Sequence, residues 1–225
     1  MANNITRETL REKEVQELTL EEMIFIHLAD SDSPIIVKDL YLKSTLSFLK
    51  RNIQHSLNND HGKDIIPYIG LCTILDQLGT CYNIKNAQEP RFNSNGIKRC
   101  LVYFGEFNEN DKLIDVLFAL RNGLLHKASL TSHDQYKNKY YHFRWDNDIT
   151  EIFKEAEKEW NGNYDLLDQP GEQYLTLINV DLLKKLVYRC MDKAAKLNQN
   201  SLIELRLAGG KRQLYYDYIR TSEIL

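Results

Sequence analysis

A chain of 225 residues with 43% hydrophobic content carries enough apolar material for one large domain, or for a domain with an appendage. A formal net charge of -3 and a pI near 6.1 argue against a generally basic nucleic-acid coat, so any positive surface for RNA must be local. No apolar run approaches the roughly 18 residues of a membrane span and no N-terminal stretch resembles a signal peptide.

Thr6–Leu18 reads as a charged helix after a frayed start. Thr19-Leu-Glu-Glu is a capping box for a helix over 20–29, with His27 at its end as a structural residue, not a ligand. A turn at Ser31–Pro34 precedes a long helix over 35–58, on which Leu42, Leu46, Leu49 and Ile53 recur at helical spacing. Residues 64–82 form the most apolar helix, with Pro67 in its first turn. Asp76 interrupts its buried pattern, and a carboxylate there needs a partner. An Asn-rich loop over 83–95 leads to a short helix over 96–106, where Lys98 and Arg99 are candidate RNA contacts.

The stretch Lys112–Leu130, capped by Asn108–Asp111, reads as one amphipathic helix with Leu113, Leu117, Leu120 and Leu124 on its apolar face. A second, polar surface bears Arg121, Asn122 and His126. Asn122 and His126, four apart, face each other, so Asn122 is placed to hold the imidazole while Arg121 reaches round on its long side chain. Gly123 leaves room for another backbone or a ligand. Histidine suits a general base and arginine suits a phosphate. RNA supplies its own nucleophile, the 2′-hydroxyl, so such a site needs no metal. Asp76 is expected to approach it, and Lys127 adds a neighbouring cation.

Arg121-Asn122-Gly123-Leu124-Leu125-His126, at the polar edge of an apolar helix in a mainly helical chain, resembles the motif of the HEPN superfamily: Arg, a polar residue, then His after four to six intervening positions. The resemblance implies an all-α bundle that dimerises and brings two motifs into one cleft. It also implies metal-independent endoribonuclease activity of the toxin, antiphage or RNA-processing kind. Carried over by position, His126 is the base on the 2′-hydroxyl, Arg121 stabilises charge on the phosphate, and Asn122 orients the site. The position that is tyrosine in some toxin members is Ala128 here, so regulation through that tyrosine is not implied. The alternative within the same fold is a non-catalytic module that binds nucleotide, RNA or a protein partner. A third reading is a structural dimer beside an antitoxin or other operon partner.

Beyond the motif helix, Tyr140–Trp145 and Gln173–Val180 read as strands of a small β-hairpin appendage, with a charged helix over 149–160 and a turn region over 161–172 between them. A helix over 181–197 follows. The tail holds a helical piece, a Gly209-Gly210 break and the run KRQLYYDYIR. There Lys211 and Arg212, among tyrosines, can contact single-stranded RNA; the plainer reading docks this segment by its tyrosines. The expected organisation is an N-terminal helical segment over 1–33, a helical core over 34–132, and 133–225 packed on that core as one unit, making a mainly α bundle. Cys72, Cys81, Cys100 and Cys190 lack metal spacing and read as reduced thiols of a cytoplasmic protein. No Walker loop, dinucleotide fingerprint or nucleophile elbow is present, and neither metal nor cofactor is expected.

Overall fold

The computed structural model describes residues 5–29, 33–92, 95–168 and 171–224; the expected turn residues Ser31 and Asp32 lie outside them. Thr6 and Thr9 cap a single turn, α1 (Arg7–Leu10), and a 3-10 turn follows at Val15–Glu17. The charged helix expected over Thr6–Leu18 is thus broken. Leu10 and Leu18 are buried while the residues between them are largely exposed, so no continuous apolar stripe holds a helix against the core. Thr19 and Glu22 close the expected capping box ahead of α2 (Leu20–Leu28).

The long helix expected over 35–58 is replaced in its first part by strands β1 (Ile35–Val37) and β2 (Leu40–Ser44); only α3 (Thr45–Leu57) is helical. Ile35 and Val37 bury alternate positions, as β-branched residues do in a strand. Lys38, at φ 48°, turns the chain. Ser44 then caps α3 by accepting from the Leu46 amide. The deciding partner is the end of the chain, where β9 (Ile219–Glu223) pairs antiparallel with β2 from Leu40↔Glu223 to Ser44↔Ile219.

The apolar helix α4 (Ile66–Cys81) carries Pro67 in its first turn, as expected. It runs into β3 (Tyr82–Ile84), then α5 (Gly96–Tyr103) and the motif helix α6 (Lys112–Lys127), capped by Asp111. The C-terminal half differs most from expectation. β4 (Thr131–Asp134), β5 (Lys139–Trp145), β6 (Phe153–Lys154) and β7 (Leu175–Ile178) form a sheet of order β4-β5-β7-β6. The two expected strands do pair, but in parallel, His142↔Leu175 to Trp145↔Ile178, with a crossover that a hairpin does not need. The helix expected over 149–160 is absent. Asn179 instead donates to the Asn147 and Ile149 carbonyls and ties the start of this stretch, which then forms the short strand β6.

Last come α7 (Val180–Gln199), β8 (Ile203–Leu205), which pairs with β3 in place of the expected helical piece, and α8 (Gly210–Tyr218). The fold is therefore an α/β mixture, with three sheets among the described residues, one of them four-stranded and mixed, and not a mainly α bundle with a hairpin. One hydrophobic cluster extends from Leu10 to Ile219 and joins the N-terminal segment, the helices and the C-terminal half. Among the described residues no helix is long and apolar enough to cross a membrane.

His27 sits inside this core, fully buried. The Gln77 amide donates to Nε2 at 2.7 Å, and Nδ1 meets the Tyr82 hydroxyl. Burial pulls its pKa from 6.5 down to about 3. The folded chain therefore binds fewer protons here than the unfolded chain between these values, so the stability gained by keeping His27 neutral is full above pH 6.5 and is lost as pH falls toward 3. His142 is shifted the same way by burial and by Arg144, so the test is a difference. Between pH 6.5 and 5 the unfolding free energy of the wild type should fall by up to about 1.4 kcal/mol per pH unit more than that of His27→Gln. Equal slopes in urea titrations would show that His27 does not couple to folding.

Candidate active site

The site is built where α4, α5 and α6 meet. Gly79 of α4 lies against the first turn of α5; a Cβ at Gly79 would stand 1.9 Å from the Gly96 carbonyl oxygen. Reciprocally, a Cβ at Gly96 would meet the Asp76 Oδ1 at 2.5 Å. The two glycines let the helices touch through their backbones and seat Asp76, one turn before Gly79, beside the start of α5. From there Asp76 Oδ2 accepts from Arg121 Nη2 at 2.6 Å and from Nε at 3.2 Å.

The other edge of the guanidinium points along α6. Arg121 Nη1 donates to Asn122 Oδ1 at 3.1 Å and to His126 Nε2 at 2.9 Å. Arg121 thus spans the offset between positions five apart, as its length allows. Asn122 has the guanidinium, and not the imidazole, as its hydrogen-bond partner, which corrects the role expected from helical spacing. An acceptor at Nε2 is an unprotonated imidazole nitrogen, the form a base requires. Asp76 and Arg121 are about a quarter exposed, and His126 and Lys127 are exposed, so the assembly opens outward. Leu125, 37% exposed, adds an apolar spot beside it.

α6 stops at His126–Lys127 because Ala128 takes the left-handed conformation at φ 48°, and the Ser129 amide returns to the Gly123 carbonyl. The chain then folds back over Gly123, whose absent Cβ would be 2.8 Å from the Ser129 carbonyl oxygen and 3.1 Å from that of Thr131. The close approach expected at Gly123 is therefore made by the protein's own backbone. Gly123→Ala should destabilise the chain by about 1–3 kcal/mol through this clash, outweighing the roughly 1 kcal/mol gain in helix propensity. Thermal melts of the variant check the sign; a stabilised variant would contradict the packing.

Other candidate cations fall elsewhere. Arg99 is 0% exposed and donates to the Gly79 carbonyl, to Glu89 and to Asn83. Lys98 is buried between Asp115 at 2.9 Å and the rings of Phe92 and Phe118. Both are clasps within the fold, which removes them as RNA contacts. The Lys211 ammonium sits on the Gln16 and Leu18 carbonyls, and Leu214 and Tyr218 dock α8 inward; Arg212 is exposed. Among the described residues no group of His, Cys, Asp and Glu is arranged to hold a metal, and the four cysteines are buried and free.

No protein-family model, curated protein or solved structure matches the chain. The functional reading therefore rests on this geometry. Asp115, which shares the polar line of α6, belongs to a separate cluster with Lys98 and Lys137. Its place at helical spacing from the motif gave no hint of that separation.

Proposed function

We propose that the chain is a metal-independent endoribonuclease of HEPN type. The observation that carries the reading is the line Asp76–Arg121–His126, in which one guanidinium is anchored by a carboxylate at 2.6 Å and touches the basic nitrogen of an imidazole at 2.9 Å. A cation that binds phosphate and a base that reaches the adjoining 2′-hydroxyl must lie within one nucleotide of each other, and this spacing meets that need.

In the proposed reaction an RNA phosphate takes up the Arg121 Nη donors and releases His126 Nε2. His126 accepts the 2′-hydroxyl proton, O2′ bonds to phosphorus, and the O5′–phosphorus bond breaks. Arg121 balances the charge that grows on the non-bridging oxygens. The leaving O5′ takes a proton from water or from a second imidazole, leaving a 2′,3′-cyclic phosphate and a 5′-hydroxyl. Two copies meeting across the exposed Leu125–Lys127 end of α6 would supply that second imidazole in a composite cleft. Lys127, exposed next to His126, remains a candidate contact to a flanking phosphate. A cytoplasmic toxin or defence role with a neutralising partner fits this activity.

One observation favours the non-catalytic alternative. Arg121 already has partners for Nε, Nη1 and Nη2, as a brace for the helix end would. Incubating purified protein with structured and unstructured RNAs in excess EDTA separates the two. The ribonuclease reading predicts cleavage that persists in EDTA and disappears in His126→Ala. The alternative predicts RNA binding that weakens in the variant, with no cleavage by either protein.

A further inference from the structure

A second candidate site lies at the opposite end of α6. A cavity of about 410 Å³ separates the first turns of α6 from the four-stranded sheet and is roofed by residues 155–160. Its volume falls in the range of small-ligand pockets.

Two hydroxyl-bearing residues, largely buried, line it. Tyr141 is 3% exposed and Thr176 is 4% exposed. Thr176 pairs in register with Phe143, two residues along β5 from Tyr141, so both side chains share one face of the sheet. Neither hydroxyl has a hydrogen-bond partner among the described residues, and neither is among the fully buried unsatisfied atoms, so both are open to a molecule in the cavity. A polar group of a bound molecule could hydrogen-bond to both.

Four lysines, Lys112, Lys137, Lys139 and Lys158, line the cavity beside three carboxylates, Asp115, Glu155 and Glu159. Glu155 is shared by Lys112 at 2.5 Å and Lys139 at 3.4 Å. Asp115 is shared by Lys98 and Lys137. Lys158 also lines the space and has no carboxylate in ion-pair range among the described residues. Each ammonium keeps donors beyond the one its carboxylate takes, so an anionic group could bind without dismantling a pair. Trp160 and Tyr174 add aromatic wall, and the Tyr174 ring makes no ring contact of its own among the described residues.

We propose that this cavity binds a planar ring bearing one anionic group, of the chemistry of a nucleoside monophosphate. The ring lies against Tyr174 and Trp160. The anion meets Lys158 and the neighbouring lysines, and ribose or base polar atoms reach Tyr141 and Thr176. The site does not depend on the ribonuclease reading, since no residue is shared with Asp76, Arg121 and His126.

Calorimetric titration of the full chain with AMP, GMP, CMP and UMP, beside adenosine and inorganic phosphate, tests it. The expected result is saturable binding of at least one monophosphate, one per chain, at least about tenfold tighter than phosphate or adenosine. Thr176→Val, which keeps the shape of the strand residue, and Tyr141→Phe should each weaken it about tenfold, about 1.4 kcal/mol. Absence of binding by all four monophosphates would overturn the proposal. So would phosphate binding as tightly as the nucleotides, or unchanged affinity in both variants with intact melting curves.

Discussion

Replacing His126 by alanine is expected to lower RNA cleavage by about 10²–10⁴-fold while leaving the chain folded, because a positioned general base contributes about that much. The side chain is exposed at the last turn of α6, and among the described residues its one hydrogen bond is to the partly exposed Arg121, so its loss leaves no buried partner unpaired there. Arg121→Ala should cost about 10²–10³-fold, the scale of one preorganised charge-stabilising donor. It also strips Asp76 of its partner. Asp76→Asn should fall between wild type and these: it loosens the guanidinium without removing it, and the partly exposed pair is worth only about 1 kcal/mol of stability. A rate loss near tenfold with a nearly unchanged melting temperature is expected, measured by single-turnover cleavage of one labelled RNA. If Asp76→Asn changed neither rate nor stability, the carboxylate would have no part in the site.

The largest expected loss of stability comes from Gly79→Ala. The added Cβ would meet the Gly96 carbonyl oxygen at 1.9 Å, the Cys100 amide nitrogen at 2.7 Å and the Gly96 carbonyl carbon at 2.8 Å. All three are backbone atoms, so no side-chain rotation relieves the contact and α4 must part from α5. Overpacking of this kind costs about 3 kcal/mol or more, or roughly 6–12 °C in melting temperature for a chain of this size. Asp76 rests on the same crossing, so cleavage should fall with stability. Gly62→Ala is the control: its new Cβ would have no neighbour closer than 3.6 Å, and its effect should stay within about 0.5 kcal/mol. Equal melts for the two variants would contradict the close crossing.

Elements whose partners lie nearby in sequence were legible from residues alone. The Thr19 capping box, Pro67 in the first turn of α4, the motif helix with its Asp111 cap, and the strand at Tyr140–Trp145 all follow from local rules. Elements whose partners lie far away were not. Nothing local separates Ile35–Ser44 from a helix with apolar residues at helical spacing; the strand β9, near the chain's end, decides it. The parallel pairing of β5 with β7 and the loop tied by Asn179 have the same origin.

The candidate site was legible in part. An unexplained carboxylate in a buried helix pattern pointed to Asp76, and the ion pair with Arg121 answers it. Helical geometry misplaced Asn122, because it locates Cβ atoms and does not locate the end of an arginine side chain. Lys98 and Arg99 looked like surface cations because charge alone does not reveal the buried acceptors, Asp115 and the Gly79 carbonyl, that draw them inward.

The most direct test of the central claim is the chemistry of the RNA ends. Products made by the purified chain in excess EDTA should carry 2′,3′-cyclic phosphate and 5′-hydroxyl ends, and a substrate with 2′-deoxyribose at the cleaved position should be inert. Products with 5′-phosphate ends, or cleavage of the deoxy substrate, would mean that the 2′-hydroxyl is not the nucleophile and that Arg121 and His126 do not act in the proposed way.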